Sequence, residues 1–421
     1  MEKISEKIQK QLESLEIVIK NVTDIKPDPE NPKDHSDEQI EKLCRSMETA
    51  WTNPIIVDEN NIVIAGHGRL MAAQKLKLDR VPCIVLTGLT EAEKIQLQIF
   101  DNKSGEMSIW NIDKLCIKID QLRDMNADLD LTGFTEREIS DIFDEANNQN
   151  TDDEENEKID TVPAAPERPQ TKPGDIWTIG RHKLICGDST DMSVVGRLMD
   201  GAKADMVFTD PPYNTGMTDN RQVGWLVGFF NDSFTEDEWQ KFMSSFCATY
   251  YAIMKENSVA YICLDWRRNY ELIPHIKQHF ELSNIIVWDK VVHGLGSDYK
   301  YTYELINVCK KGKPELNTHQ GDREYQDVWH IQRKIGRDED HCTKKPVELC
   351  ARAIRHGSLI NDIVVDLFGG SGSTMIACEK TNRVCRMAEL DPKYCDVIIR
   401  RFIDTFGGVA INQDGVEFKV D

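Results

Sequence analysis

Hydrophobic positions in the second half of the chain form short runs, separated by longer stretches with helical periodicity. The stretches Glu236–Met254 and Pro346–His356 are two examples of predicted helices between runs. Strands that alternate with helices predict a mostly parallel sheet covered by helices on both faces, an α/β fold. The runs predict strands at Lys183–Cys186, Met206–Thr209, Ser258–Leu264, Ile285–Trp288, Leu305–Cys309, Ile363–Leu367 and Val384–Glu389.

The first 135 residues carry a different, shorter pattern that predicts a small α+β domain. Helical periodicity covers Arg69–Leu78 and Glu91–Phe100. The runs rich in β-branched residues predict strands at Ile55–Asp58, Ile62–Gly66 and Val81–Leu86.

Between these regions, the pattern stops. Residues Glu136–Asp160 hold 11 acidic and 2 basic side chains, and a proline-rich stretch follows. Too few apolar groups remain to bury a core, so we predict a helix tail and then a flexible linker. The resulting division is 1–135 for the first domain, 136–172 for the linker and 173–421 for the second domain.

Composition narrows the class of protein. The 421 residues, 40% of them hydrophobic, suit two or three ordinary globular domains. We find no apolar run that would span a bilayer and no signal peptide, so we expect a cytoplasmic protein without a membrane partner. The 12 cysteines form no C-x-x-C pair and no cluster with zinc-ligand spacing, so we expect buried free thiols and no metal.

The net charge of −21 argues at first against nucleic acid as a partner. Its distribution weakens that objection. Residues 1–160 hold 19 basic and 35 acidic side chains, whereas residues 161–421 hold 32 and 37. Most of the acidity therefore lies outside the predicted α/β domain, and whole-chain charge says little about a local groove.

A glycine-rich turn follows the strand that ends at Asp366 and opens a helix. Glycines at such a turn let a ligand approach the backbone closely, although a plain tight turn would use them too. Glu389 ends the next strand, where an acidic side chain can hold ribose hydroxyls. The turn lacks the Gly-Lys-Ser/Thr ending of a phosphate-binding loop, so a nucleoside with a charged tail, such as S-adenosylmethionine, would fit. We assign ligand contacts to Asp366, Phe368, Gly370, Gly372, Thr374 and Glu389.

A second turn, Asp210-Pro211-Pro212-Tyr213, comes directly after another predicted strand. An aromatic amino group is a poor nucleophile, because its lone pair is delocalised into the ring. Asp210 and the Pro211 carbonyl would accept its two hydrogens and favour a pyramidal nitrogen in the transition state. Tyr213 would stack on the base, which must leave the duplex to reach this pocket. The alternative is an ordinary Asp-Pro-Pro turn.

Together, the Asp210–Tyr213 and Phe368–Gly372 segments resemble the amino-methyltransferases that act on adenine N6 or cytosine N4 in DNA. The resemblance covers about residues 173–405 and implies a Rossmann-like fold in the β-type, circularly permuted motif order, with S-adenosylmethionine as cofactor. The family's contact to the cofactor adenine maps to Asp188, and its His-Pro-Thr-x-Lys-Pro segment maps to residues 341–346. Cys342 replaces the proline there, and Lys345 is the family's lysine.

The resemblance also implies a substrate. An aspartate rather than a serine at the head of the Asp210 motif favours adenine within the family, with cytosine as the open alternative. Double-stranded DNA with a flipped base is the expected partner, and members of this type are often homodimers. No separate restriction enzyme is implied.

In this family the target-recognition region lies where our chain becomes irregular, at about residues 290–340. Basic residues there would contact phosphates, and arginines would read guanine edges. A solvated loop with ordinary surface charge is the alternative. The residues we assign to DNA are Lys290, Lys310, Lys311, Arg323, Arg333 and Arg337. Thr215–Asn231 would form either a lid over the base pocket or a fixed loop.

Residues 17–135 resemble the ParB/sulfiredoxin-like N-terminal domain. The segment Gly66-His67-Gly68-Arg69 opens a helix, and the backbone there, with Gly66, Gly68 and Arg69, would bind nucleotide phosphates. His67 replaces the reactive cysteine of sulfiredoxins. The arginine of the Glu-Asn-x-x-Arg motif is missing near Asn102, which argues against nucleotide hydrolysis. A purely structural helix start is the alternative.

The combination of both domains is typical of phage and prophage fusions. The main competing hypothesis is a ParB-like DNA- or nucleotide-binding regulator whose methyltransferase half has lost activity. The intact motifs at Asp210 and Phe368 argue against that loss. An RNA or protein methyltransferase is a third hypothesis, and a nuclease is disfavoured by the lack of a metal-binding carboxylate pattern.

Overall fold

The computed structural model describes residues 15–104, 107–108, 110–149, 159–214, 234–291, 299–316, 326–332 and 344–420. The chain divides into two compact units, Met1–Ala146 and Asn147–Asp421. Within the described ranges, no helix is both long and apolar enough to cross a membrane.

The first unit is built on a four-stranded sheet in the order β1-β4-β2-β3. Only the β2–β4 pair is parallel. The strands are β1 (Ile17–Asn21), β2 (Ile55–Asp58), β3 (Val63–Ala65) and β4 (Arg80–Leu86). Three of them match the predicted strands, which confirms the small α+β fold.

Five α-helices accompany this sheet in the described part of the first unit. α1 begins after Ser36, whose hydroxyl accepts a hydrogen bond from Gln39 N at 3.2 Å. The first three helices are α1 (Asp37–Thr49), α2 (His67–Lys75) and α3 (Glu91–Ser104), and they precede α4 (Ile112–Asp124) and α5 (Glu136–Gln149).

Helices α4 and α5 were not predicted as a pair. α4 buries Ile119, and α5 buries Ile139 and Phe143 at the i, i+4 spacing of one helix face. The first part of the acidic run, Glu136–Gln149, is thus a regular helix with a buried apolar face rather than a frayed tail.

The second unit is built on a ten-stranded sheet, whose strands run from β5 to β14 along the chain. They are β5 (Ile176–Ile179), β6 (His182–Cys186), β7 (Ala204–Thr209), β8 (Met254–Leu264), β9 (Glu281–Asp289), β10 (Tyr303–Lys311), β11 (Val328–His330), β12 (Ile363–Asp366), β13 (Val384–Glu389) and β14 (Ala410–Asn412). The sheet order is β11-β9-β10-β8-β7-β12-β13-β6-β5-β14.

The five central strands β8-β7-β12-β13-β6 are parallel, as predicted, whereas most pairings nearer the edges are antiparallel. One apolar cluster packs on each face of the sheet. The helices are α6 (Met192–Met199), α7 (Glu236–Ile253), α8 (Trp266–His279), α9 (Val347–Gly357), α10 (Ser373–Lys380) and α11 (Pro392–Phe406). The expectation of a sheet covered on both faces is confirmed.

The strand order reverses at the centre of the sheet. From β7 the chain moves to β8 on one side, and from β12 it moves to β13 on the other. The carboxyl ends of β7 and β12 therefore flank a topological switch point, where open α/β sheets bind their ligands.

The end of the predicted linker differs from the expectation. The Gln170 and Thr171 amides donate to the buried Asp396 carboxylate at 2.6 and 3.0 Å. Ile159 is buried, and its carbonyl accepts from Arg401 at 3.0 Å. These contacts hold parts of the segment 159–172 against the second unit, which a flexible linker would not do.

Candidate active site

The Asp-Pro-Pro-Tyr turn leaves β7 at the switch point. The residue that follows it, Asn214, is 5% exposed and has a left-handed φ of 49°. The Asn214 side-chain oxygen accepts from Phe234 N at 3.0 Å, and its carbonyl accepts from Arg268 Nε at 3.2 Å. These bonds fix the exit of the turn and thereby the direction of the residues before it.

Both carboxylate oxygens of Asp210 have partners. Oδ1 accepts from the Tyr213 hydroxyl at 2.5 Å, and Oδ2 accepts from Lys345 Nζ at 2.7 Å. Lys345 Nζ is also 2.9 Å from the Tyr213 hydroxyl and lies 5.1 Å from the centre of its ring. Lys345, predicted as a cofactor contact, is thus brought directly to the proposed catalytic carboxylate.

A second carboxylate, Glu304 at the start of β10, completes this cluster. Its Oε2 lies 2.9 Å from Lys345 Nζ and 3.1 Å from the Tyr213 hydroxyl, and its Oε1 lies 2.6 Å from Lys290 Nζ. The Glu304 side chain is 14% exposed, Lys290 10% and Lys345 6%. Two carboxylates and two ammonium groups therefore alternate in a largely buried chain.

The charged groups of this cluster shift one another's pKa values. Burial raises the pKa of Asp210 against the opposing effect of Lys345. Burial would raise the pKa of Glu304 as well, but the charges of Lys345 and Lys290 outweigh it and lower that pKa to about 2. Lys345 keeps its proton because Asp210 and Glu304 raise its pKa despite burial. Glu304 and Lys345 are therefore both charged at neutral pH.

The glycine-rich turn after β12 adjoins this cluster through Thr209. The Thr209 hydroxyl lies 3.1 Å from Asp366 Oδ1, and Thr374 donates to Asp366 Oδ2 at 2.6 Å. The Phe368 amide also donates to Asp366 Oδ1, at 3.1 Å. Burial raises the pKa of Asp366 to about 7. Asp366 therefore ties the two turns together at the base of the switch point.

Glu389, at the end of β13, faces the same turn. Its carboxylate accepts from Gly370 N at 2.7 Å and from Asp391 N at 2.9 Å. Burial raises its pKa to about 7. A Cβ on Gly370 would meet no atom within 4 Å, whereas one on Gly372 would lie 3.1 Å from Ile398. The turn is open to a ligand at Gly370 and closed against α11 at Gly372.

The other predicted cofactor residues lie at the same edge of the sheet. Cys186 pairs with Glu389 in the β6–β13 register, and Asp188 follows two residues later. Asp188 Oδ1 accepts from Thr190 N at 2.8 Å. Phe368 packs edge-on against Phe242 and Phe246 on α7. The structure thus brings the Asp210 turn, Asp188, Asp366 and Glu389 to the ends of neighbouring strands, and Lys345 and Thr374 reach them from the segment before α9 and from α10.

The predicted DNA-binding lysines are placed differently. Lys290 is buried against Glu304. Lys311 lies at the opposite edge of the sheet, where it pairs with Ser258 near the start of β8 and donates to the Tyr251 and Met254 carbonyls at 2.9 and 3.0 Å. Buried side chains with protein partners cannot also neutralise phosphates, so neither lysine supports the expected DNA contact as placed.

The described residues leave the rest of that assignment untested. Lys310 pairs with Val259, next to Lys311, and is half-buried. Arg323, Arg333 and Arg337 lie outside the described residues, as does the predicted lid at Thr215–Asn231. So do residues 341–343, the first part of the segment that contains Lys345.

In the first unit, the predicted phosphate-binding turn does open a helix. Gly66 has a left-handed φ of 99° and precedes α2. His67 Nε2 accepts from Asp28 N at 3.2 Å, and burial lowers the pKa of His67. His67 is therefore a neutral turn residue, and Arg69 is the cationic side chain of the segment.

Comparison with known families now adds to this geometry. The family model described as "DNA methylase" matches residues 204–400, which contain both turns of the second unit. The "ParB N-terminal domain" matches residues 6–103, and the "ParB-methyltransferase HTH domain" matches residues 113–173. The chain therefore combines a DNA methylase region with an N-terminal ParB-like region. Both resemblances drawn from the sequence are confirmed.

Individual relatives of the methylase follow the same division. The chain is 47% identical over 83 residues to the ParB-like nuclease domain-containing protein YnaK of Escherichia coli, covering 20% of this chain and 95% of YnaK. It is 28% identical over 229 residues to the type II methyltransferase M.HinfI of Haemophilus influenzae, covering 47% of this chain and 62% of that one. The solved M1.HpyAVI–SAM complex aligns at 21% identity with a TM-score of 0.41, over 52% of this chain and 98% of that chain.

Sequence reasoning missed two features of the methylase. The helix–turn–helix match covers α4 and α5, and the signal for it was the pair of amphipathic helices on either side of Gly133. The other missed residue is Glu304. Its only signal was an acidic side chain at the start of an otherwise apolar strand, which does not reveal what it faces.

Proposed function

We propose that the methylase transfers a methyl group from S-adenosylmethionine to N6 of adenine in DNA. The observation that carries this proposal is the adjacency of the Asp210 turn and the Asp366 turn, joined through Thr209 at the switch point. One turn offers acceptors for an amino group, and the other offers an open glycine turn beside a buried carboxylate.

The residues around the glycine turn fit the cofactor. Glu389 would accept hydrogen bonds from the ribose hydroxyls, since the Gly370 amide holds its Oε2 against the glycine turn. The open side of Gly370 gives a ligand access to the backbone. Asp188 and Phe368 would border the adenine, and Asp366, Gly372 and Thr374 would shape the turn. When bound, S-adenosylmethionine supplies the methyl group.

The catalytic turn handles the amino group of the base. Asp210 and the Pro211 carbonyl would accept its two hydrogens, Pro212 would stiffen the turn, and the Tyr213 ring would stack on the flipped base. The nitrogen gains a methyl group and must lose one proton. Asp210 is the carboxylate placed to accept that proton, and burial raises its pKa, which makes it a better base than a solvated aspartate.

The acceptor base is the finer part of the proposal. The aspartate at the head of the motif favours adenine N6, and cytosine N4 would use the same acceptors. Double-stranded DNA would be held mainly by residues 290–340, with Arg323, Arg333 and Arg337 as the predicted readers. A homodimer remains our prediction for the assembly. Of the predicted division into 1–135, 136–172 and 173–421, we keep the two domains as a proposal but not a flexible linker over its whole length, because helix α5 covers Glu136–Gln149 and parts of 159–172 pack on the second unit.

A regulator with a non-catalytic methylase half is the competing function. Its ligand site would be the turn of Gly66, Gly68 and Arg69, which we propose binds nucleotide phosphates in either case. A regulator does not need a buried proton acceptor, so the Asp210 cluster favours the enzyme.

The test uses purified protein, tritiated S-adenosylmethionine and unmethylated genomic DNA, followed by digestion to nucleosides. Label in N6-methyladenine is expected. Asp210→Ala should lose at least about 100-fold in rate while still binding the cofactor, whereas Ala at the exposed Asp237 should keep the wild-type rate. Label in N4-methylcytosine would change the base and keep the mechanism. No incorporation by folded, cofactor-binding protein would favour the regulator.

A further inference from the structure

We propose that Glu304 is a positioning residue for methyl transfer, which holds Lys345 and Tyr213 against Asp210 and is itself held by Lys290. The proposal rests on the proposed role of Asp210 as the acceptor for the amino group. No sequence motif of the methylase suggested Glu304. It follows from contacts between side chains that lie far apart along the chain.

The cluster joins elements that share no backbone pairing with β7. In the sheet order, β8 separates β7 from β10, so Glu304 reaches past the end of β8 to the Asp210 turn. Lys345 comes from the segment before α9, and Lys290 from the end of β9. Four segments of the fold therefore meet in this cluster, and Glu304 and Lys290 act on Asp210 only through Lys345 and Tyr213.

Glu304 makes the position of Lys345 unique. With Asp210 alone, the ammonium group could rotate about its long side chain and still keep one ion pair. With Glu304 at 2.9 Å and Asp210 at 2.7 Å, it lies between two carboxylates and under the Tyr213 hydroxyl. Charge-assisted hydrogen bonds of this kind are short and directional, so they fix the carboxylate plane of Asp210 as well.

Lys290 fixes the position of Glu304 in the same way as Glu304 fixes that of Lys345. Its Nζ lies 2.6 Å from Glu304 Oε1 and 5.5 Å from the centre of the Trp288 ring. Removing one partner of a buried ion pair leaves an uncompensated charge, which is strongly unfavourable. Without Lys290, the cluster would hold two carboxylates and one ammonium group. Without Glu304, it would hold one carboxylate and two ammonium groups.

The charge balance predicts opposite effects of the two residues on Asp210. Glu304 raises the pKa of Asp210, so its removal should lower that pKa. Removal of Lys290 leaves excess negative charge and should raise it. Glu304 itself stays ionised, so it does not relay the proton. The titratable groups that face the cluster are Tyr213 on the same turn, Cys263 on β8, Lys290 after β9, Glu304 on β10, Lys345 and Cys350 at α9, and Asp366 on β12.

The experiment compares the full-length wild type with Glu304→Gln, Glu304→Asp and Lys290→Met. The pH profile of kcat/KM for methyl transfer is measured from pH 5 to 9. We expect Glu304→Gln to reduce kcat about tenfold or more, with little change in the KM for the cofactor. Its acidic limb should move to lower pH by half a unit or more, and that of Lys290→Met to higher pH. Glu304→Asp should recover part of kcat, and Gln at the exposed Glu281 should change neither limb.

A second measurement does not depend on activity. Carboxyl ¹³C resonances of labelled aspartate are titrated by NMR in each variant, with Asp210→Asn to identify the Asp210 signal. Opposite shifts of its titration in Glu304→Gln and Lys290→Met would support the proposal. Identical titration in folded variants would overturn it, as would a lower rate without any displacement of the acidic limb. If the wild type transfers no methyl group, the proposed function fails, and the NMR titration still decides whether Glu304 controls Asp210.

Discussion

Each unit of the chain contains a strand that runs through a left-handed glycine into a helix. In the first unit, Gly66 has a φ of 99° and leads from β3 into α2. In the second unit, Gly372 has a φ of 82° and stands before α10 in the turn after β12. Neither helix start has a side-chain cap. Both helices therefore begin with the same backbone conformation, a left-handed glycine at the N-cap.

The surroundings of the two turns differ. Beside the turn of Gly372 lie two carboxylates, the buried Asp366 and the half-buried Glu389, each with a pKa raised to about 7 by loss of solvent. Beside Gly66 lie a buried neutral histidine and Arg69. A ligand with hydrogen-bond donors and a positive charge suits the first environment, and an anion suits the second. A glycine turn therefore shows where a ligand could approach, and its charged neighbours show which kind.

The largest expected effect is a difference in cofactor affinity between two variants, Gly372→Ala and Gly66→Ala. A Cβ at Gly372 would strain a left-handed φ and also lie 3.1 Å from Ile398 on α11. At Gly66 the nearest atoms, in Ile55, lie at 3.5 Å. We expect Gly372→Ala to weaken binding of S-adenosylmethionine about 100-fold, because the turn must shift. Gly66→Ala should cost roughly 1–2 kcal/mol of stability through φ alone and leave cofactor affinity unchanged.

Isothermal titration calorimetry with the cofactor, together with thermal unfolding, checks this pair. Equal losses of cofactor affinity in both variants would show that this backbone conformation matters alike at both turns, and would contradict the comparison. Unchanged affinity in Gly372→Ala would remove the glycine turn from the cofactor site.

The free energy of unfolding should depend on pH in opposite directions through Asp366, beside the second turn, and His67, beside the first. In the folded chain Asp366 has a pKa of about 7, so between about pH 4 and 7 the folded state binds a proton that the unfolded state lacks. Its charged form is therefore unfavourable above pH 7, and stability is gained as the pH falls towards 5. The pKa of His67 is lowered, so the folded state resists protonation and stability is lost as the pH falls below about 6.5.

Urea unfolding of Asp366→Asn and His67→Gln relative to wild type, from pH 5 to 8, measures these slopes. The free energy of unfolding of wild type minus that of Asp366→Asn should rise by up to about 1.4 kcal/mol for each unit of falling pH. The same difference for His67→Gln should fall. Lost hydrogen bonds shift each curve by a constant, so only the slopes test the prediction. Parallel slopes for the two variants would contradict it.

Much of this comparison could be predicted from the sequence, because it depends on local signals. Gly66 and Gly372 each follow a short apolar run and precede a helical pattern, and both turns were placed correctly. The strand after Gly372 ends at Glu389, so the acidic neighbour was predictable from the period of a βαβ unit. The features that could be predicted, the two glycine turns and the strand end at Glu389, are those that a few consecutive residues determine.

The parts that could not be predicted depend on distant partners. Glu304 lies 91 residues from Tyr213 along the chain, and Lys345 lies 135 residues from Asp210. Lys290 and Lys311 carry the same charge in the sequence, and only the sheet register shows that one faces Glu304 and the other faces the carbonyls of Tyr251 and Met254. A basic residue in the sequence can therefore suggest a DNA contact, but the fold can instead bury it against a partner within the protein.

The smallest expected effect concerns the turn at Gly66. Arg69 is half-buried, and its Nη1 lies 3.6 Å from the position of a Cβ on Gly66, so the guanidinium stands beside the start of α2. If this turn binds phosphates, Arg69→Gln should weaken nucleoside triphosphate binding about tenfold, or about 1.4 kcal/mol. Arg69→Lys should fall between, because it keeps the charge but loses the planar fork. The exposed Arg80→Gln is the matched control. Calorimetry with each of the four ribonucleoside triphosphates measures all three variants. Equal affinities in Arg69→Gln and Arg80→Gln would mean that the first turn is a structural helix start, and that only the turn with buried carboxylates holds a ligand.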